Sequence, residues 1–482
     1  WGDLHFTQSI YINSFVDTPY GTRVLNGSGT WSFRPEIEKL EIMTRGLINP
    51  WGFAFDQWGQ SFATDGAGSS GINYVFPGSA HATAVGVSNI LPGLNSNTPK
   101  NTAAEVIYSR HFPKNWQGNV ITNDFRANRT VRYSITPEQS GYLSKEVETI
   151  IKSDHRSYRP VDCKIGPDGA LYIVDWYNPI IDHGEVDFHH PIRDKTHGRI
   201  WKVTKKGSPL LPIQNFTNKS SEGLLELLKS PEQYTRLQAN RAYVEEIGDP
   251  KMVIDWIQNL KKSDQNYTHH RLEGLWLLTA LNHYDEQTLL TSLKSNNPKE
   301  KAASIRMLAH WKKQDLHFNL LDDLIEDPSP QVRLEALHAL RDMGDIRAAE
   351  IAIKALNKPL DKNLEFALNL TISSLQNLWL TGMINGENIF ESDQNKQLYA
   401  LTTSSDKRVV SLIISLLDNP EIDPILANKA WLLLANIGDS KALSKVLEKA
   451  VNDENLELLT TMYNAPDANE ERPDNVDIIE VL

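Results

Sequence analysis

The run Asp182-His-Gly-Glu-Val-Asp-Phe-His-His-Pro-Ile-Arg-Asp-Lys-Thr-His-Gly-Arg199 packs four imidazoles (His183, His189, His190, His197) and four carboxylates (Asp182, Glu185, Asp187, Asp194) into 18 residues. Imidazole and carboxylate at this density suit a transition metal, with His189 as a ligand. They equally suit general-base chemistry, in which a carboxylate holds an imidazole; His190, Asp194 and His197 are the candidates. A third reading is a solvated loop whose charges pair with Arg193 and Lys195. A second set is Asn49-Pro-Trp-Gly52 with Thr64-Asp-Gly-Ala-Gly68. Carbonyls exposed at Gly66 and Ala67, beside Asp65, suit a hard cation such as Ca²⁺, or else belong to a plain strand-ending turn. A third set is basic, with Arg126 and Arg129 in one segment and Arg156 and Arg159 in another. Paired guanidinium groups can grip a polyanionic cofactor through bidentate hydrogen bonds, or can be ordinary surface charge. His5, on an alternating strand, reads as packed.

The elements that must position these groups repeat. Gly52-Phe-Ala-Phe-Asp-Gln-Trp-Gly-Gln-Ser-Phe-Ala-Thr-Asp65 rhymes with Asp162-Cys-Lys-Ile-Gly-Pro-Asp-Gly-Ala-Leu-Tyr-Ile-Val-Asp175. Each is a strand, a glycine turn and a second strand ending on Asp. Looser copies end at Asp124 and Gln8, so the ends fall at 8, 65, 124 and 175, spaced 57, 59 and 51 residues apart. Short-strand hairpins at that interval predict β-propeller blades, about four of them, with a ligand site where the blade loops converge. Gly59 and Gly169 stand where tight hairpins need positive φ. The glycine- and serine-rich stretch from Gly66 to Asn101 reads as a long functional excursion.

From about Ser220 the apolar period changes to 3.6. Arg236-Leu-Gln-Ala239, Arg271-Leu-Glu-Gly274 and Arg333-Leu-Glu-Ala336 repeat one motif, with Lys301-Ala-Ala-Ser304 a weaker member. Helix pairs at this spacing stack into a HEAT-like α-solenoid, because one pair alone cannot bury its apolar face. The predicted organisation is therefore β then α: a propeller over 1–204, a linker over 205–219, HEAT-like repeats over 220–464, and an acidic tail over 465–482. The propeller is expected to be N-terminally incomplete, since the first residues already read as a strand in mid-blade.

The chain has 482 residues, a net charge of −12 and one cysteine, Cys163. The charge argues against a nucleic-acid partner. The lone cysteine excludes internal disulfides and a Cys-x-x-Cys-His haem attachment within this sequence. No stretch of 18 apolar residues predicts a transmembrane helix.

Gly2-Asp-Leu-His-Phe-Thr-Gln8, Asn49-Pro-Trp-Gly-Phe-Ala-Phe-Asp56, Thr64-Asp-Gly-Ala-Gly68, Asp175-Trp-Tyr-Asn-Pro179 and the segment His183–Trp201 resemble the membrane-bound dehydrogenase family. Its members carry a sugar-dehydrogenase-like propeller, HEAT repeats and often a cytochrome c domain. The propeller is more distantly similar to soluble quinoprotein glucose and sorbosone dehydrogenases, whose six-bladed propellers bind pyrroloquinoline quinone (PQQ) and Ca²⁺. The resemblance implies PQQ contacts from Asn49, Arg126, Arg129, Arg156, Arg159 and Arg193, with Ile48 standing where those enzymes have arginine. It implies Ca²⁺ held near Gly66 and Ala67, and a catalytic histidine upstream of the segment matching Trp1. The implied activity is oxidation of a sugar or polyol hydroxyl by hydride transfer to the quinone. Electrons would pass to a cytochrome c or another acceptor, in the periplasm or at the cell surface. The alternative is a non-catalytic scaffold, in which the propeller holds a glycan or a protein and the solenoid docks a protein partner.

Overall fold

The computed structural model describes residues 2–67, 71–87, 89–95, 100–182, 184–311 and 314–465. His183, Gly68 and nearly all of the acidic tail lie outside the described residues. The chain divides into two compact units. The first comprises Trp1–Trp311, Pro328–Glu335 and Asp361–Phe366, and the second Lys312–Asp327, Ala336–Leu360 and Ala367–Leu482.

The first unit begins with a series of small antiparallel sheets. Strands β1 (Leu4–Gln8), β4 (Gly29–Arg34) and β5 (Lys39–Arg45) form one sheet in the order β1-β4-β5, and β2 (Asn13–Val16) and β3 (Arg23–Asn26) form a hairpin between β1 and β4 in the chain. The second sheet is β6 (Pro50–Phe55), β7 (Ser61–Asp65) and β8 (Ile72–Val75). The third is β9 (Asn101–Val106), β10 (Val120–Asp124), β11 (Arg129–Glu138) and β12 (Gly141–Lys152), and the fourth is β13 (Pro160–Ile165), β14 (Leu171–Asp175) and β15 (Arg199–Val203). The last three sheets are meanders in which chain order equals spatial order. Neighbouring sheets stand side by side: the Thr64 hydroxyl, on β7, donates to the Ala103 carbonyl of β9 at 3.0 Å, and that of Thr102, on β9, to the Pro160 carbonyl of β13 at 3.1 Å. At Gly52 the approach is so close that a Cβ would collide with the Ala103 carbonyl carbon.

The rhyme in the sequence has a physical cause. Both aspartates that end its strands are buried and act as staples. Asp65 accepts the N–H groups of Ile48, Asn49 and Ala67, while Asp175 accepts those of Arg159 and Tyr177. Each ties the start of its sheet's first strand to the turn leaving the second. Gly59 and Gly169 adopt φ of 76° and 79°, as the hairpin turns require. The Gly66–Asn101 stretch contains more order than expected, because Ile72-Asn-Tyr-Val75 forms β8, fully buried against β7. A four-residue buried run has no alternation from which to read a strand.

Helices follow, beginning with Ser221–Leu227, Gln233–Glu246, Pro250–Gln258 and Tyr267–Ala280 around a core of Leu224, Leu228, Tyr243, Val253, Ile257 and Leu277. The repeated motif is an ion-pair ladder between successive repeats. Arg236 meets Glu273 at 2.7 Å, Arg271 meets Glu300 at 2.7 Å, and Arg306 meets Glu335 at 2.7 Å. The same helices hold the β6–β7 turn. Gln233 donates to the Phe55 carbonyl, the His269 ring to that of Gln57, and Arg306 to that of Gly59. Strands and early helices are therefore one folded body. The segment expected to be a linker, 205–219, also packs on the strands. The Leu211 N–H reaches the Asp168 carbonyl, and the His111 ring sits between the Lys205 N–H and the Pro209 carbonyl.

The second unit is helical throughout its described part, up to Leu456–Tyr463. Aspartate N-caps at Asp345, Asp393, Asp423 and Asp439 satisfy first-turn N–H groups. Trp379 is fully buried, with its ring N–H on the Ile372 carbonyl. Among the described residues, no helix is long and apolar enough to cross a membrane.

Candidate functional site

Each of the three meander sheets carries an irregularity in its first strand. The register shifts at Trp51 in β6, across Ala103 and Ala104 in β9, and at Val161 in β13. Bulges re-aim side chains, and all four of these residues line one cleft of about 1150 Å³. Just before each bulge the backbone repeats. The N–H of Gly66 donates to the Asn49 carbonyl, that of Phe125 to Lys100, and that of Trp176 to Arg159. Asn49, Lys100 and Arg159 thus occupy equivalent stations, faced by Gly66, Phe125 and Trp176.

The three stations use their side chains differently. Arg159 turns inward, donating to the carbonyls of Phe125 and Asn178 and to the Asn128 side chain. Burial, with Arg156 nearby, lowers its pKa from the ordinary value. Asn49 and Lys100 line the cleft. The Lys100 ammonium lies 5.8 Å from the Phe125 ring centre, and Phe125 meets Trp51 edge to face at 5.6 Å. A Cβ on Gly66 would come within 2.8 Å of the Trp51 ring, so the glycine leaves room for the indole. Trp51 and Trp176 remain 45% and 43% exposed, as large apolar rings facing a cleft rather than a core. Asn178, held through its carbonyl by Arg159, passes a side-chain N–H to the Asp194 carbonyl and so brings in the histidine-rich loop.

That loop reaches the cleft through Asp182, Phe188, Arg193, Asp194 and Lys195. Arg193 donates to the carbonyls of Asp182, Val186 and Asp187, bracing the loop from within. The Asp194 carboxylate accepts the N–H groups of Thr196 and His197 and meets the His197 ring at 2.8 Å, which together hold its pKa down at about 2. His197 is 69% exposed and lines a smaller neighbouring pocket with Trp176 and Arg199. His189 is exposed, and the His190 ring accepts the Ile192 N–H; neither is among the cleft-lining residues.

His5 also lines the cleft. It stacks on Phe53 at 5.2 Å and meets Phe55 edge-on at 4.9 Å. Burial lowers its pKa, so the ring is neutral at pH 7, and its Nδ1 has no partner among the described residues. Packing and cleft-lining coincide at this residue, and the sequence showed only the packing. Lys100 was missed as well, because it falls at the end of the stretch read as an excursion.

Of the residues assigned by resemblance to a quinone and Ca²⁺, Asn49, Gly66 and Arg193 line the cleft, and the others are not among the cleft-lining residues. Arg126 and Arg156 are exposed and are not among the cleft-lining residues. Arg129 is engaged by Asp124 at 3.2 Å and Glu146 at 2.7 Å, and Arg159 by backbone carbonyls. Both oxygens of Asp65 accept backbone N–H groups. Among the described residues, no group of three or more His, Cys, Asp and Glu side chains could hold a metal ion.

Residues 2–207 match the model of a domain of unknown function (DUF7133), and residues 286–370 match that of HEAT repeats. No curated protein matches the chain. Among solved structures it is similar to a protein of Thermus thermophilus described as an oxidoreductase (glucose dehydrogenase), at 17% identity and TM-score 0.28, over 39% of this chain and 63% of that one. A second glucose dehydrogenase matches at 17% identity and TM-score 0.29, over 42% of this chain and 61% of that one. YibA of Escherichia coli matches at 18% identity and TM-score 0.28, over 52% of this chain and 94% of that one. The chain thus spans less than two thirds of the length of either dehydrogenase.

Proposed function

We propose that the small sheets are blades of a propeller and that the cleft at their bulged first strands binds a carbohydrate. The observation that carries this reading is the pair of half-exposed indoles, Trp51 and Trp176, lining one cleft with the side-chain amide of Asn49. Flat aromatic faces pack against the C–H faces of pyranose rings, and amides supply the donors and acceptors that hydroxyl groups need. A leucine-lined groove would lack that pairing. The scaffold form of this reading requires only binding.

One observation favours a second reading, in which the bound sugar is oxidised. His5 lines the same cleft with a neutral imidazole, the kind of group able to accept a proton from a sugar hydroxyl. No hydride acceptor is assigned, because only Asn49 and Arg193 of the residues set aside for a quinone line the cleft.

The test is calorimetric titration of the full chain with neutral oligosaccharides, beside the Trp51→Ala variant. Millimolar or tighter binding to the wild type, weakened at least tenfold in the variant, is expected. Absence of sugar binding to the folded wild type overturns the proposal.

A further inference from the structure

We infer that the cleft selects an acidic sugar, a pyranose bearing a carboxylate, and that Lys100 is the residue that reads the charge. This rests on the carbohydrate reading above.

The argument starts from the three equivalent stations. Their backbone is the same, so the side chains are what distinguish them. The guanidinium of Arg159 is spent on loop carbonyls, and Asn49 carries no charge. Lys100 is half-buried beside Phe125, lines the cleft, and has no carboxylate partner among the described residues. The other lysine on a first strand, Lys164, is committed to Glu105 at 3.2 Å and to the Ala104 carbonyl. An ammonium beside an aromatic ring and without a counter-ion gains a charge-assisted hydrogen bond from an incoming anion. Trp51 touches Phe125, beside which the ammonium lies, so a pyranose stacked on Trp51 presents its ring substituents toward Lys100.

Of the acids lining the cleft, Asp194 is bound to its own loop and Asp162 accepts its neighbour's N–H, while Asp182, like the cation Lys195, is an exposed residue of the histidine-rich loop. In a chain with 49 basic and 61 acidic residues, an uncommitted cation inside the main cleft is against the overall balance.

The experiment titrates the full chain with a galacturonic acid trisaccharide and with the neutral galactose trisaccharide of the same linkage, at low and at high NaCl. The variants are Lys100→Met, which keeps the apolar stem, and Lys100→Arg, which keeps the charge. The wild type is expected to prefer the acid by about tenfold, with the preference falling as salt rises. Lys100→Met abolishes the preference by weakening the acidic sugar more than the neutral one, and Lys100→Arg retains at least part of it. Equal affinity for both sugars in the wild type, or an unchanged preference in Lys100→Met, overturns the inference and leaves the carbohydrate site standing. Failure of the wild type to bind either sugar overturns both.

Discussion

The turn that joins the strands to the helices contains a testable electrostatic cost. The Asp56 carboxylate accepts the N–H groups of Trp58 and Gln60 through one oxygen, in a turn enclosed by Arg306, Gln233 and His269. Burial raises its pKa to about 6. Below about pH 4 this carboxyl is neutral in both the folded and the unfolded chain and costs nothing. Between about pH 4 and pH 6 the unfolded chain has released this proton while the folded chain still holds it, so stability falls across that window and levels off above it. A rise from about 3.9 to about 6 corresponds to about 3 kcal/mol at full burial. Asp56 keeps partial exposure, and screening by solvent reduces this to about 1–2 kcal/mol. Asp56→Asn retains the accepting oxygen and removes the charge, while Arg306 keeps its partner Glu335. Thermal unfolding of both proteins from pH 4.5 to 8 should show the variant gaining on the wild type through pH 6. It should end on the order of 2–4 °C more stable per kcal/mol. Two melting curves that run parallel with pH, or a variant destabilised most above pH 7, would refute the reasoning.

Other expectations concern the frame. Arg271→Ala leaves the Glu300 carboxylate buried without its bidentate partner and should destabilise the first unit by about 3–5 kcal/mol in urea unfolding. The double variant Arg271→Met/Glu300→Met should recover most of that loss. A single variant within about 0.5 kcal/mol of wild type would show that the ladder contributes nothing. Gly52→Ala should yield no soluble folded protein, because its Cβ would collide with backbone at Ala103. Gly86→Ala, with a φ of 73° but open space around it, should fold and cost about 1 kcal/mol. Equal yields of the two alanine variants would mean that the first strands do not pack as closely as described.

Much of the frame was legible in the sequence because its cause is local. Aspartate at the end of a strand binds N–H groups of its own hairpin, so it recurs at the hairpin interval, and Asp65 and Asp175 could be aligned before any fold was known. The Arg-Leu-Glu motifs were legible for the same reason, although their partners, one repeat away, were not. What escaped depends on tertiary placement. β8 is too short and too buried to alternate. Lys100 has no neighbour in sequence that marks it, since its equivalence to Asn49 and Arg159 lies in a carbonyl accepting from the turn after the next strand. The histidine-rich loop drew attention by composition, yet it meets the cleft through its charged and aromatic residues, and the rings of His190 and His197 meet local partners.

The division of labour between backbone and side chain explains how a repeated frame can hold a specific ligand. Three sheets use the same carbonyl to close the same turn, and each kinks its first strand just beyond that point. Any side chain at the station or the bulge can change without loosening the turn, because none of the repeated hydrogen bonds runs through it. Asn49, Lys100 and Arg159 can therefore differ in charge, and Trp51, Ala103 and Val161 in size, while the stations keep their places. A ligand that needs a flat face at one station and a cation at the next is matched by changing two side chains. The stapling aspartates are the reverse case: their side chains make the repeated bonds, so their chemistry is consumed by the fold, and a metal or a proton would have to displace backbone N–H groups to use them.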